Sequence, residues 1–82
     1  MSIQHQNNDA LQVFGYNVSH YRRKSGLTQV GLAMRAYVSS QTVSEIERGL
    51  RNPSLLTMID IAQALHVPIA DLLTEQDIQD VA

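Results

Sequence analysis

From Ser39 to Gly49 the chain reads Ser-Ser-Gln-Thr-Val-Ser-Glu-Ile-Glu-Arg-Gly, a run dominated by short or forked hydrogen-bonding side chains. A helical register that turns Val43 and Ile46 inward leaves Gln41, Thr42, Ser44, Glu45 and Arg48 facing out. Such a face suits the reading of base edges in a major groove. A glutamine amide can pair in two places with adenine, and a glutamate can accept from the exocyclic amine of cytosine. Without further context it is also an ordinary wet helix surface. Other chemistry finds less support. Ser39, Ser40 and Ser44 have no nearby histidine base, so no catalytic nucleophile and no enzyme is expected. His5, His20 and His66 form no i,i+4 pair and the chain contains no cysteine, so neither a metal site nor a cofactor is expected.

A reading helix has to be held by others, and the apolar spacing is helical throughout, with no alternating run that argues for a strand. The first helix is expected from about Ala10 to Lys24, with Leu11, Phe14, Val18 and Tyr21 on one stripe and Gly26 as its stop. A short second helix follows Thr28, a good N-cap, and buries Leu32, Ala33 and Ala36; Gly31 weakens it. The third begins at Ser39 or Ser40 and closes at Gly49. The fourth starts after Pro53 with Ser54 as cap, its stripe being Leu55, Met58, Ile59, Ala62 and Leu65. A fifth, from about Pro68 to Leu73, buries Ile69, Leu72 and Leu73. Tyr16 and Tyr37 are expected to be partly in the core, and Leu55, Leu56, Leu72, Ile78 and Val81 to complete it.

The 82 residues allow one small domain: a polar arm over 1–9, a helical body over 10–73 and an acidic tail over 74–82. The net charge of -2 conceals a strong polarity. All six lysines and arginines lie between Arg22 and Arg51, so that segment carries +4, against -1 before it and -5 after it. No stretch is long and apolar enough to span a membrane, and the first residues lack the pattern of a signal peptide. The absence of cysteine fits a reducing, cytoplasmic setting.

Two short helices joined by a tight link are the spacing of a helix-turn-helix. Around them stand Thr28-Gln29, Leu32-Ala33, Ile46-Glu47-Arg48-Gly49, Pro53-Ser54, and Ala64-Leu65-His66-Val67. In this order and at these distances the series resembles the Cro/CI-type, or XRE, family of helix-turn-helix regulators over about residues 11–73. The resemblance implies an all-α, compact five-helix, lambda-repressor-like domain that binds double-stranded operator DNA, usually as a homodimer. The candidate base-reading residues are then Gln29, Ser39, Ser40, Gln41, Thr42, Ser44 and Glu45. Thr28, Arg35, Arg48, Arg51 and Asn52 are candidates for the DNA backbone. Arg22 and Glu47 match a structural ion pair that ties the first helix to the end of the third. Arg23 and Lys24 lie off the motif surface and read equally well as a solvated helix end.

The sequence departs from the family pattern in four places. Tyr37 and His66 stand where glycine is usual, Val30-Gly31 where an acid and a helix former are usual, and Pro68 where Ser or Thr caps the last helix. The expected function is a sequence-specific transcriptional regulator, a repressor, working as a dimer on a near-palindromic operator, and at this length a reader without a sensor domain. Restriction–modification controller, antitoxin and phage-type repressor all fit. The alternative is a protein-interaction module, such as an antitoxin whose main partner is a toxin protein or another regulator.

Overall fold

The structure, a computed structural model, describes residues 7–75, which form five helices: α1 (Asn7–Lys24), α2 (Gln29–Ala36), α3 (Ser40–Glu47), α4 (Leu55–Leu65) and α5 (Ile69–Leu73). No strand occurs among the described residues. The all-α five-helix expectation therefore holds, with the helix-turn-helix at α2 and α3. The first helix starts three residues earlier than expected, so Asn7 to Asp9 of the expected arm are helical. The rest of that arm, and the tail from Gln76 with Ile78 and Val81, lie outside the described residues.

Local chemistry sets the boundaries. Thr28, Ser39 and Ser54 are extended N-caps whose hydroxyls accept from the backbone N–H of Gly31, Thr42 and Thr57. Pro68 precedes α5 without a side-chain cap bond. The first four helices end in a common way. A left-handed residue, Gly26, Tyr37, Gly49 or His66, reverses the chain, and the next N–H returns to a carbonyl of the last turn. These return bonds are Leu27 to Arg22, Val38 to Ala33, Leu50 to Glu45 and Val67 to Ala62, at 2.9–3.1 Å. Tyr37, at φ 60 and ψ 41, takes a conformation that glycine holds without strain.

The core gathers Phe14 and Val18 of α1, Leu32, Ala33 and Ala36 of α2, Val43 and Ile46 of α3, Ile61, Ala62 and Leu65 of α4, and Leu72 of α5. Four expectations about it need correction. The inner face of α4 is centred on Met58, Ile61, Ala62 and Leu65, whereas Leu55 is exposed and Ile59 only half-buried. At about 100° per residue, Leu55 and Ile59 fall together on the edge of that face. Leu73 and Leu56 are exposed, because five residues of α5 and the first turn of α4 give them no neighbouring helix to pack beneath. Tyr37 is 92% exposed, since its left-handed backbone throws the ring off the turn. Tyr16 is half exposed on the outer side of α1, where its ring lies beside that of His20.

Among the described residues one polar side chain, that of Asn17, is fully buried. The Asn17 amide donates to the carbonyls of Leu72 and Thr74, both at 2.9 Å, and so fastens the end of α5 to the middle of α1. Its Oδ1 has no partner, a cost that the two donated bonds offset. Nearby, α1 crosses the end of α3 so closely that a Cβ at Gly15 would collide with the backbone carbonyl of Ile46.

The crossing is bolted by charge. Arg22 Nε donates to Glu47 Oε2 at 2.6 Å and Nη2 to Oε1 at 3.0 Å, with both side chains largely shielded from solvent. Arg22 Nη1 also donates to the Leu27 carbonyl at 2.8 Å, and Gln29 Nε2 donates to Glu47 Oε1 at 3.0 Å. The hydrogen bonds to Glu47 hold the guanidinium pKa above its ordinary value against the opposing effect of burial.

Two stability changes are expected. Gly15→Ala should lower unfolding free energy by about 2 kcal/mol or more, because backbone rather than a side-chain tip blocks the added methyl. Tyr37→Gly should raise it by about 1 kcal/mol by removing left-handed strain from an exposed residue. Urea denaturation followed by circular dichroism checks both, and equal midpoints for Gly15→Ala and the parent would contradict the crossing.

Candidate nucleic-acid interface

The helix-turn-helix begins where α2 and α3 expose their first N–H groups. Among the unsatisfied donors of each first turn, one is taken by Thr28 and one by Ser39, and the others face outward with the positive end of the helix dipole. Neither first turn contains an acid. Each is thus a place where a phosphate can be held.

On α3, Ser40 and Gln41 are exposed, while Thr42, Ser44 and Glu45 are half-buried. Ser39, expected among the base readers, spends its hydroxyl locally: it accepts from the Thr42 N–H at 3.0 Å and shares a 2.9 Å bond with the Thr42 hydroxyl. Gln29 is half-buried and spends its amide on Glu47, so it braces α3 from the start of α2.

Gln41 and Glu45 of α3 form a connected array with Arg51. Gln41 Nε2 donates to Glu45 Oε2 at 3.0 Å, and Arg51 Nε donates to Glu45 Oε1 at 2.8 Å. A second guanidinium nitrogen of Arg51 stands 2.7 Å from the same oxygen. Hydrogen bonds from Gln41 first and Arg51 second hold the Glu45 carboxyl below its ordinary pKa. Arg51 thus offsets a carboxylate that would otherwise repel phosphate. The Gln41–Glu45 bond follows the i,i+4 spacing of the sequence. The Arg51 contact reaches across the turn after α3 and carries no such signature.

Arg48 ends α3 and Gly49 reverses the chain, so Arg48, Arg51 and Asn52 all emerge exposed at one end of the helix. Arg35, in the last turn of α2, is exposed as well. Arg35 and Arg48 have side chains without a hydrogen bond or ion pair among the described residues. No cluster of three or more metal-ligating side chains occurs among those residues. No helix among them is long and apolar enough to cross a membrane.

Comparison with known proteins agrees with this architecture. A profile of the family described as Helix-turn-helix matches residues 18–72. An uncharacterised HTH-type transcriptional regulator of Sinorhizobium fredii is 41% identical over 69 residues, which cover 84% of this chain and 90% of the relative. The control protein C.SmaI of Serratia marcescens is 32% identical over 72 residues, 88% of this chain and 86% of its own. The crystal structure of the restriction–modification controller protein C.AhdI from Aeromonas hydrophila superposes with a TM-score of 0.74 at 34% identity, covering 76% of this chain and 94% of that one. With two crossed short helices, a braced recognition helix and a family match spanning both, the chain belongs to the helix-turn-helix family of DNA-binding transcriptional regulators of the XRE type, a family of regulators rather than enzymes.

Proposed function

We propose that the protein is a cytoplasmic repressor that binds a near-palindromic operator as a homodimer, with α3 of each protomer in the major groove. The observation that carries this reading is the outward face of α3, where Ser40, Gln41, Thr42, Ser44 and Glu45 stand between two open helix N-termini and the cations Arg48 and Arg51. Gln41 and Glu45 are the principal base readers. Their mutual bond presets both side chains, and each keeps capacity for a base edge. Ser40, Thr42 and Ser44 supply shorter contacts. Ser39 and Gln29 act less as readers than as braces, although both remain close enough to the surface to touch DNA. Thr28, Arg35, Arg48, Arg51 and Asn52 hold phosphates and fix the register.

The exposed leucines support a dimer. Leu55, Leu56 and Leu73 are 60%, 71% and 54% exposed, on α4 and α5 rather than on the reading helix. A two-fold axis through such a surface would set two copies of α3 about 34 Å apart, one turn of DNA. Occupying an operator excludes other proteins from the same DNA and needs nothing beyond the reader. The same leucines also suit a protein-interaction module with a toxin or another regulator as its main partner. A folded chain that retards no DNA at low salt would decide for that alternative.

Binding to DNA selected from a random pool, followed by fluorescence anisotropy across salt concentrations, tests the regulator. Gln41→Ala should cost discrimination at one base pair by about 1–3 kcal/mol. Arg48→Ala should weaken all sequences alike and flatten the salt dependence. If neither change alters binding, α3 is not the reader. For assembly, Leu56→Glu should convert a sedimenting dimer into a monomer that keeps its helical circular dichroism; an unchanged sedimentation coefficient places the dimer surface elsewhere.

A further inference from the structure

The charges divide unevenly. Arg22 and Arg51 are committed to Glu47 and Glu45. Arg23 and Lys24, at the exposed end of α1, form no side-chain hydrogen bond or ion pair among the described residues, and neither belongs to the helix-turn-helix. They close one end of an open groove of about 640 Å³ where α1 passes the end of α3, lined also by Tyr16, Ser19, His20 and Glu47. We propose that this outer face of α1 is a second DNA-backbone site, which takes successive phosphates of one strand beyond the base pairs read by α3. The proposal rests on the reading of the chain as a DNA-binding regulator.

Continuity with the helix-turn-helix is direct. Glu47, in the groove wall, accepts from Gln29, the first residue of α2, where the open N-terminus stands. Only Ser25 to Thr28 separate Lys24 from that N-terminus. A strand held there can run on into the groove without crossing an acidic barrier, because both oxygens of Glu47 are occupied by Arg22 and Gln29. The groove therefore presents its cations and its neutral donors. The Tyr16 and His20 rings lie nearly parallel, 6.2 Å between centroids and 9° between planes, and set a hydroxyl and an imidazole along the same side of α1 as Ser19 and Arg23. Hydroxyl, imidazole N–H, guanidinium and ammonium all donate to phosphate oxygen.

The dimensions fit a polyanion. From Tyr16 to Lys24 α1 rises about 12 Å, which matches roughly four successive phosphates of one strand along the duplex axis. The groove is open along its length, so a single small anion would keep most of its surface in water, whereas drug-sized ligands are usually enclosed.

The test uses the full chain and the duplex that the wild-type protein selects from a random pool, with the Arg23→Gln/Lys24→Gln double variant. The slope of log affinity against log salt should fall by about 1.8 per bound protomer, with the base preferences unchanged. Trimming the flanking base pairs should weaken the wild type and leave the variant indifferent. The charge-preserving Arg23→Lys/Lys24→Arg variant should keep the wild-type slope. A double variant that keeps both the slope and the sensitivity to trimming, while Arg48→Ala lowers the slope, overturns the α1 site and leaves α3 as reader. A wild-type chain that is folded yet selects no sequence at low salt overturns both.

Discussion

The placement of α3 depends on the Arg22–Glu47 pair. A guanidinium and a carboxylate meet in a two-pronged, largely shielded contact, and each has further partners at the same junction: the Leu27 carbonyl for Arg22 and the Gln29 amide for Glu47. Three helices and one turn are thereby referred to a single point. Breaking either partner would strand a charge away from water, which is far more costly than losing an exposed ion pair. The close approach at Gly15 and the left-handed turn at Gly49 bring the last turn of α3 within reach of α1. With its end fixed this way, α3 can present polar side chains without having to bury them for stability.

The second constraint is electrostatic. A face proposed to meet phosphate should not carry an uncompensated acid, yet α3 includes Glu45. Arg51 answers it from beyond the turn, and Gln41 occupies the other oxygen. Because Glu45 is solvent-accessible, this array contributes to how the surface looks to DNA rather than to how stably the domain folds. The same division runs through the whole chain. The cations lie between Arg22 and Arg51, and most of the acids follow them in the sequence.

Much of the architecture was legible in the residues. Thr28, Ser39 and Ser54 announced their helices because a capping hydroxyl acts within three residues of itself. The pairing of Arg22 with Glu47 came from the family resemblance, since nothing in spacing alone links residues so far apart. What escaped was long-range. Asn17 sits among apolar neighbours on α1, and its partners, Leu72 and Thr74, belong to the opposite end of the chain. The inner face of α4 was displaced by about one residue, because an apolar helix with leucine and isoleucine on several sides does not declare which of them is covered. The local bond of Ser39 is that of a cap and could be foreseen, whereas the particular carboxylate that the Gln29 amide meets, Glu47, lies 18 residues away and needs the three-dimensional structure. The Arg51 partner of Glu45 was hidden because a reversal of chain direction breaks helical spacing.

The clamp at Asn17 also bears on how the molecule breathes. Five residues cannot hold a helix in water without outside support, so α5 persists only while Leu72 is buried and the Asn17 amide grips the two carbonyls beyond it. Its amides should then exchange with solvent through a local opening well below the free energy of global unfolding. That opening would release Leu72 beside the already exposed Leu73. Any partner that bound only the closed form would thereby stabilise this helix. The shortest helix of the fold is thus the one that depends most on its neighbours.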